Sequence, residues 1–224
     1  MKYSPCEVEE KGFTIITAHS GCEGTPPNSR EHILKAIASG AEMIEVDVRR
    51  CGELLYLSHD ISENPEECVS LDEFLDKMKP QSRMRINFDV KTEELVPLVM
   101  EKVNARDMAK MAVFTGMCND KKAEIEGLGA ELWISLWPSG DNESEVVRGE
   151  KICLDETLCC INLHYSMITE ENEKRIRETG LSFSAWTVDD EEEIKRLLKM
   201  KIKNITTRRP SLALKLREEV QGTM

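Results

Sequence analysis

Short apolar runs of strand length recur along the chain, separated by stretches whose apolar residues repeat with helical spacing. Eight runs read as strands: Phe13–Ala18, Met43–Val48, Arg83–Val90, Lys110–Thr115, Glu131–Trp137, Cys159–Leu163, Leu181–Val188 and Lys203–Thr206. Leu54–Leu57 is a further extended piece after the second run. Between the strands, Ile33, Leu34, Ala36 and Ile37 form one stripe. Leu71, Phe74, Leu75 and Met78 form another, and Leu95, Val96, Val99, Met100 and Val103 a third. Helices are also predicted over Lys121–Leu128, weakly near Glu143–Arg148, over Thr169–Thr179, from Asp189 through Leu198, and from Pro210 to about Glu218. Ser70 with Glu73 reads as a capping box, and Asn28 with Glu31 as a second helix start.

Eight strand-then-helix units predict an α/β fold with parallel strands, closed as a single (β/α)8 TIM barrel. A doubly wound open sheet would want a glycine-rich phosphate loop after the first strand, and His19-Ser20-Gly21 is not one. Neither a linker nor a low-complexity segment interrupts the pattern, so residues 1–224 are expected to form one domain.

The exceptions to apolar patterning carry the chemistry. In Met43–Val48 side chains alternate faces, so Ile44, Val46 and Val48 share one side while Glu45 and Asp47 share the other. Two carboxylates about 4 Å apart at an effective dielectric of about 20 repel by roughly 4 kcal/mol. A bound cation is the usual means of offsetting that. On the third strand Arg85, Asn87, Asp89 and Lys91 share a face. Asp89 would complete a three-carboxylate site with Glu45 and Asp47, unless it is consumed by an internal salt bridge to Arg85 or Lys91. All-oxygen ligands suit Mg²⁺ or Ca²⁺ rather than zinc. Barrel enzymes place functional groups at the C-terminal ends of strands. His19, His59 and His164 all fall there, whereas His32 lies within a helix and is expected at the surface.

The charged fraction is 32% and the formal net charge −12, which argues against nucleic acid or an anionic membrane surface as a partner. Without an 18-residue apolar run or a signal-like N-terminus, an intracellular, cytoplasmic protein without a membrane anchor is expected. Eight scattered cysteines, with Cys159 and Cys160 adjacent in an apolar run and Cys22 and Cys51 in loops, read as reduced thiols.

In order and spacing these residues resemble the glycerophosphodiester phosphodiesterase family, a (β/α)8 group related in architecture to phosphatidylinositol-specific phospholipases C. Ala18-His19-Ser20-Gly21 is similar to the family's A-H-R-G, and Pro26-Pro27-Asn28-Ser29 to its P-E-N-T. Gly40 to Val48 is similar to G-A-D-x-I-E-x-D-V, His59-Asp60 to H-D, and Asn87 to Lys91 to N-I-E-I-K. Ala185 to Asp189 resembles the late W-T-V-N, and Thr207-Arg208-Arg209-Pro210 resembles T-D-R-P. The resemblance implies His19 and His59 as an acid/base pair and Glu45, Asp47 and Asp89 as ligands of a divalent cation, Mg²⁺ or Ca²⁺. It makes Lys91 a phosphate contact and Trp186 a pocket wall; His164, at its strand end, is a further candidate for substrate or phosphate binding. The reaction implied is hydrolysis of a small-molecule glycerophosphodiester to glycerol 3-phosphate and an alcohol.

Four positions depart from the family pattern: Ser20 replaces its arginine, Pro27 its glutamate, Asp89 its third glutamate and Arg208 its aspartate. The expectation is that Arg49, Arg50 or Arg85 replaces the lost arginine's charge, or that the substrate differs. The alternative expectation is a catalytically weakened barrel that binds a phosphorylated ligand.

Overall fold

The computed structural model describes residues 5–81, 83–139 and 160–223. Helix α1 (Pro5–Glu10) precedes strand β1 (Ile15–Ala18), followed by α2 (Arg30–Ser39), β2 (Met43–Cys51), β3 (Leu54–Leu57) and α3 (Leu71–Met78). Then come β4 (Arg85–Val90), α4 (Leu95–Asn104), β5 (Ala112–Gly116), α5 (Lys122–Gly127) and β6 (Glu131–Leu136). The last part comprises β7 (Cys160–His164), α6 (Glu170–Glu178), β8 (Ser182–Trp186), α7 (Glu191–Lys199), β9 (Asn204–Thr207) and α8 (Pro210–Gln221). Cys159 and the helix expected near Glu143–Arg148 lie outside the described residues.

Strands β1, β2 and β4 to β9 run parallel, and β1 pairs with β2 on one side and β9 on the other, so the sheet closes into an eight-stranded barrel. Strand β3 folds back antiparallel on the end of β2. The expected (β/α)8 fold is therefore the observed one. Cys51 closes β2 instead of lying in a loop.

Alternation along each strand divides the core in two. Outward-facing Ile44, Val46, Val48, Ile86, Phe88 and Val90 are buried against the surrounding helices. Phe88 meets Phe74 of α3 edge-on at 6.4 Å. Inside the barrel, Ile15, Met43, Val113, Trp133 and Cys160 plug the N-terminal end, with Val8 of α1 closing it from below. Burying each such side chain stabilises the fold by about 1.5–3 kcal/mol. The N-terminal segment, which reads as merely polar and acidic, thus contributes a lid through Val8. Higher in the barrel the interior turns polar but remains satisfied: Thr17 Oγ1 donates to Asn204 Oδ1 (2.6 Å) and Thr115 Oγ1 to Asn87 Oδ1 (2.9 Å). At the bottom the fully buried Arg217–Glu42 pair (2.8 Å) ties α8 to the barrel, and Arg217 also donates to Thr14 O. No described helix is long and apolar enough to cross a membrane.

Two expectations about α2 need correction. Its N-cap is Ser29, whose hydroxyl accepts from His32 N at 3.0 Å; Asn28 is used elsewhere. The helix is also rotated relative to the expected stripe: Leu34 is 52% exposed, and His32 is fully buried instead of lying at the surface. Neither His32 ring nitrogen finds a hydrogen-bond partner among the described residues. Desolvation by that burial drops its pKa to about 4.

Candidate active site

Register between β2 and β4 sets Glu45 opposite Asn87 and Asp47 opposite Asp89, all pointing into the C-terminal end of the barrel. Glu45, Asp47 and Asp89 each offer a carboxylate oxygen, and these oxygens lie within 4.8 Å of one another. Glu45 Oε2 accepts from the Ser20 backbone N–H at 2.8 Å. Asp47 Oδ2 accepts from Asn28 Nδ2 at 2.7 Å and from Ser20 Oγ at 3.1 Å, while Asn28 Oδ1 takes the Asp47 N–H at 3.0 Å. Asn28 sits at φ 55°, so it fastens both the side chain and the backbone of Asp47 from a left-handed turn. That role was hidden in the sequence, where Asn28 read as a helix cap.

Lys91 pairs with Asp47 Oδ1 and, at 2.8 Å, with Asp89 Oδ2. The cluster and the internal ion pair, which the sequence posed as alternatives, are therefore both present. Burial favours the neutral form of Asp47, but the Lys91 ammonium and the Asn28 amide outweigh it and hold its carboxyl below the ordinary value. Glu45 goes the other way: burial, then the charges of Asp47 and Asp89, push its carboxyl well above the usual range. Asp89 is also raised, chiefly by burial. The Lys91 ammonium, despite its burial, is held above its ordinary pKa by Asp89 and Asp47. Among the described residues a single lysine thus leaves three acids under-compensated, and an all-oxygen donor set of this kind suits a hard divalent cation.

Gly116 explains how Asp89 fits. It ends β5 at φ +88°, and a Cβ there would lie 2.0 Å from Asp89 Oδ1 and 2.5 Å from Val90 O. Its N–H donates to Ser135 Oγ at 2.9 Å. No sequence pattern marked this glycine, because its neighbour is 27 residues away.

His19 follows directly on β1. Its Nδ1 lies 2.8 Å from Ser20 O, and since a carbonyl only accepts, Nδ1 carries the proton and Nε2 the lone pair of the neutral ring. Burial, assisted by the positive charge of Arg208 and opposed by the Ser20 carbonyl, lowers its pKa below the ordinary value. His59 is more open: Nδ1 is 3.0 Å from Asp60 Oδ1, and Arg49 donates to its carbonyl through Nε (2.9 Å) and Nη2 (2.7 Å). Both histidines, the three acids and Lys91 line one cavity of about 370 Å³.

Trp186, Trp137 and Met117 form the cavity's apolar side. Trp186 Nε1 donates to Asn162 O at 3.2 Å, and its ring meets Trp137 edge-on at 6.5 Å. His164 is not among the lining residues; it stacks edge-on against Trp186 at 5.2 Å and bonds Ser166 Oγ at 2.8 Å. None of the three arginines expected to replace the lost charge reaches the cavity. Arg49 is spent on His59, and Arg50 donates to Gly52 O and Glu53. Arg85 pairs with Glu131 at the opposite end of the barrel (2.9 Å). Among the described residues, the guanidinium that does line the cavity is that of Arg208, which the sequence marked only as a departure from the family's aspartate.

The closed (β/α)8 barrel that carries these acids and histidines is a fold shared with a defined set of solved structures. No family profile matches the chain, and no curated protein matches it in sequence. A protein from Agrobacterium tumefaciens, provisionally named a glycerophosphoryl diester phosphodiesterase, superposes with a TM-score of 0.83 at 16% identity, over 94% of this chain and 100% of that one. The glycerophosphodiester phosphodiesterase of Thermotoga maritima gives 0.71 at 22% identity, over 91% and 98%. An Oleispira antarctica phosphodiesterase, solved with the product sn-glycerol-3-phosphate, gives 0.69 at 17% identity, over 91% and 96%. The chain therefore has the fold of glycerophosphodiester phosphodiesterases over more than nine-tenths of its length.

Proposed function

We propose that this protein is a divalent-cation-dependent phosphodiester hydrolase acting on a glycerophosphodiester or a similar small diester. One observation carries the reading: three carboxylates within 4.8 Å of one another share a cavity with two histidines. A phosphodiester carries charge on its nonbridging oxygens, needs a deprotonated nucleophile, and needs a proton for its leaving alkoxide. Glu45, Asp47 and Asp89 would hold Mg²⁺ or Ca²⁺, which when bound supplies charge neutralisation at phosphorus. Lys91, anchored between Asp47 and Asp89, adds a fixed positive charge at the same spot. His19, with Nδ1 committed to Ser20 O, presents Nε2 to take the proton from the attacking hydroxyl, whether a glycerol hydroxyl of the substrate or water. His59, braced by Asp60 and Arg49 at the open rim, donates a proton to the departing alcohol; where a glycerol hydroxyl attacks, the cyclic phosphate so formed is then opened by water. Trp186 walls the pocket, with His164 stacked behind it.

Ser20 and Pro27 support a second reading, a barrel that binds a phosphorylated ligand without turning it over. Its acids and Lys91 already neutralise one another in part. The test is turnover of glycerophosphocholine, glycerophosphoethanolamine and bis(p-nitrophenyl) phosphate with Mg²⁺, Ca²⁺ or EDTA. Hydrolysis that needs the cation, and that falls by about 10²- to 10⁴-fold in His19→Ala, supports the enzyme. Absence of turnover across all three favours the binding reading.

A further inference from the structure

The cavity's charge is lopsided. Among the described residues its acids outnumber its committed cation, since the Lys91 ammonium is taken up by Asp47 and Asp89. A phosphodiester approaching from solvent meets that acidic wall, and Ser20 brings a hydroxyl to it instead of a guanidinium, spending it on Asp47. The positive charge comes from the other neighbour of His19. Strands β1 and β9 pair Thr17 with Thr206 and Ala18 with Thr207, and His19 N donates to Thr207 O at 2.9 Å. Continuing that register by one residue sets Arg208 beside His19, across the ladder from it.

We infer that Arg208 is the anion-binding residue of this site, gripping a nonbridging phosphate oxygen of the substrate from the β9 side of the cavity. Its side chain is half exposed, lines the same cavity as both histidines, and is held in place by Asp189. Asp189 Oδ1 accepts the Arg208 backbone N–H at 2.7 Å and the Thr207 hydroxyl at 3.1 Å. Asp189 Oδ2 accepts from Arg208 Nη1 at 2.9 Å. One edge of the guanidinium is thereby fixed, while Nε and Nη2 make no hydrogen bond among the described residues. A planar donor fork fixed at one edge and open at the other matches the geometry of a phosphate. The inference rests on the phosphodiesterase reading for its substrate, but not for the binding of phosphate itself.

Two arms test it. In the first, bis(p-nitrophenyl) phosphate turnover is compared in wild type, Arg208→Ala and Arg208→Lys with the divalent cation present. Losing a charge-assisted bond to phosphate raises KM by about 10- to 100-fold in Arg208→Ala with kcat little changed. Arg208→Lys recovers part of the loss, and added guanidinium recovers part of it in the alanine variant. In the second arm, calorimetry of inorganic phosphate binding to the same proteins shows a matching loss of affinity. Unchanged thermal unfolding of Arg208→Ala and Arg208→Lys, which keep the backbone bond to Asp189, shows that the effect is local. A KM in Arg208→Ala within twofold of wild type overturns the inference, as does phosphate affinity that is absent in wild type or indifferent to Arg208. Arg208-dependent phosphate binding in a wild type that hydrolyses nothing upholds Arg208 and overturns the hydrolase reading alone.

Discussion

Replacing Lys91 by methionine removes the ammonium that bridges Asp47 and Asp89 while keeping most of the stem's volume. In the native protein the lysine side chain is 13% exposed, that of Asp47 2% and that of Asp89 27%. Solvent therefore screens little of what is lost. Removing one partner of a buried ion pair costs about 3–5 kcal/mol, because the remaining charges stay buried without compensation. For a chain of this size each kcal/mol corresponds to about 2–4 °C in Tm, so Lys91→Met is expected to melt about 6–20 °C below wild type in EDTA. The three-acid cluster then offers a cation site of higher charge. Mg²⁺ or Ca²⁺ at a hundred times its Kd adds about 2.7 kcal/mol through binding alone, and because it relieves more repulsion in the variant, its Kd there is lower. The assay is thermal unfolding with a divalent titration of both proteins. A variant that melts within 2 °C of wild type in EDTA, or that gains no more from the cation than wild type does, refutes the account of the cluster.

Gly116→Ala forces a Cβ to within 2.0 Å of Asp89 Oδ1 at φ +88°. It is expected to destabilise the protein by more than about 2 kcal/mol in urea unfolding and to weaken divalent binding by about 10-fold or more as Asp89 shifts. Wild-type stability and cation affinity would show that the backbone relaxes there. His32 is neutral and buried with its folded pKa lowered to about 4, below an unfolded value of 6.5. The unfolded chain therefore takes up a proton first as pH falls, so the contribution is intact above pH 6.5 and is lost between 6.5 and about 4. It amounts to about 3 kcal/mol. Urea midpoints of His32→Met should be flatter than wild type across that window, and an equal slope in both would contradict the burial argument.

Much of this molecule was legible from alternation alone. A strand that places Ile44, Val46 and Val48 on one face and Glu45 and Asp47 on the other has one inward face in a parallel barrel. The same parity on Asn87 and Asp89 brought the third acid to the first two. Features set by contacts between distant segments were not legible. Asn28 and Ser29 are both competent caps, and only the position of Asp47, 19 residues on, decides that Asn28 is needed elsewhere. The stripe on α2 left its phase open by one residue, and that residue separates a surface histidine from a buried one. Val8 is an apolar residue set between Glu7 and Glu9 until the barrel floor gives it a partner. Arg208 acquires its place from a ladder joining the first and last strands, which no local pattern contains.

The central claim, a cation-dependent diester hydrolase built on Glu45, Asp47, Asp89, His19 and His59, is tested most directly by one comparison. Glycerophosphocholine hydrolysis is followed by release of glycerol 3-phosphate in Mg²⁺ or Ca²⁺ and again after complete chelation. Turnover that vanishes in EDTA and returns on adding the cation is the predicted result. A rate that survives chelation unchanged would contradict it.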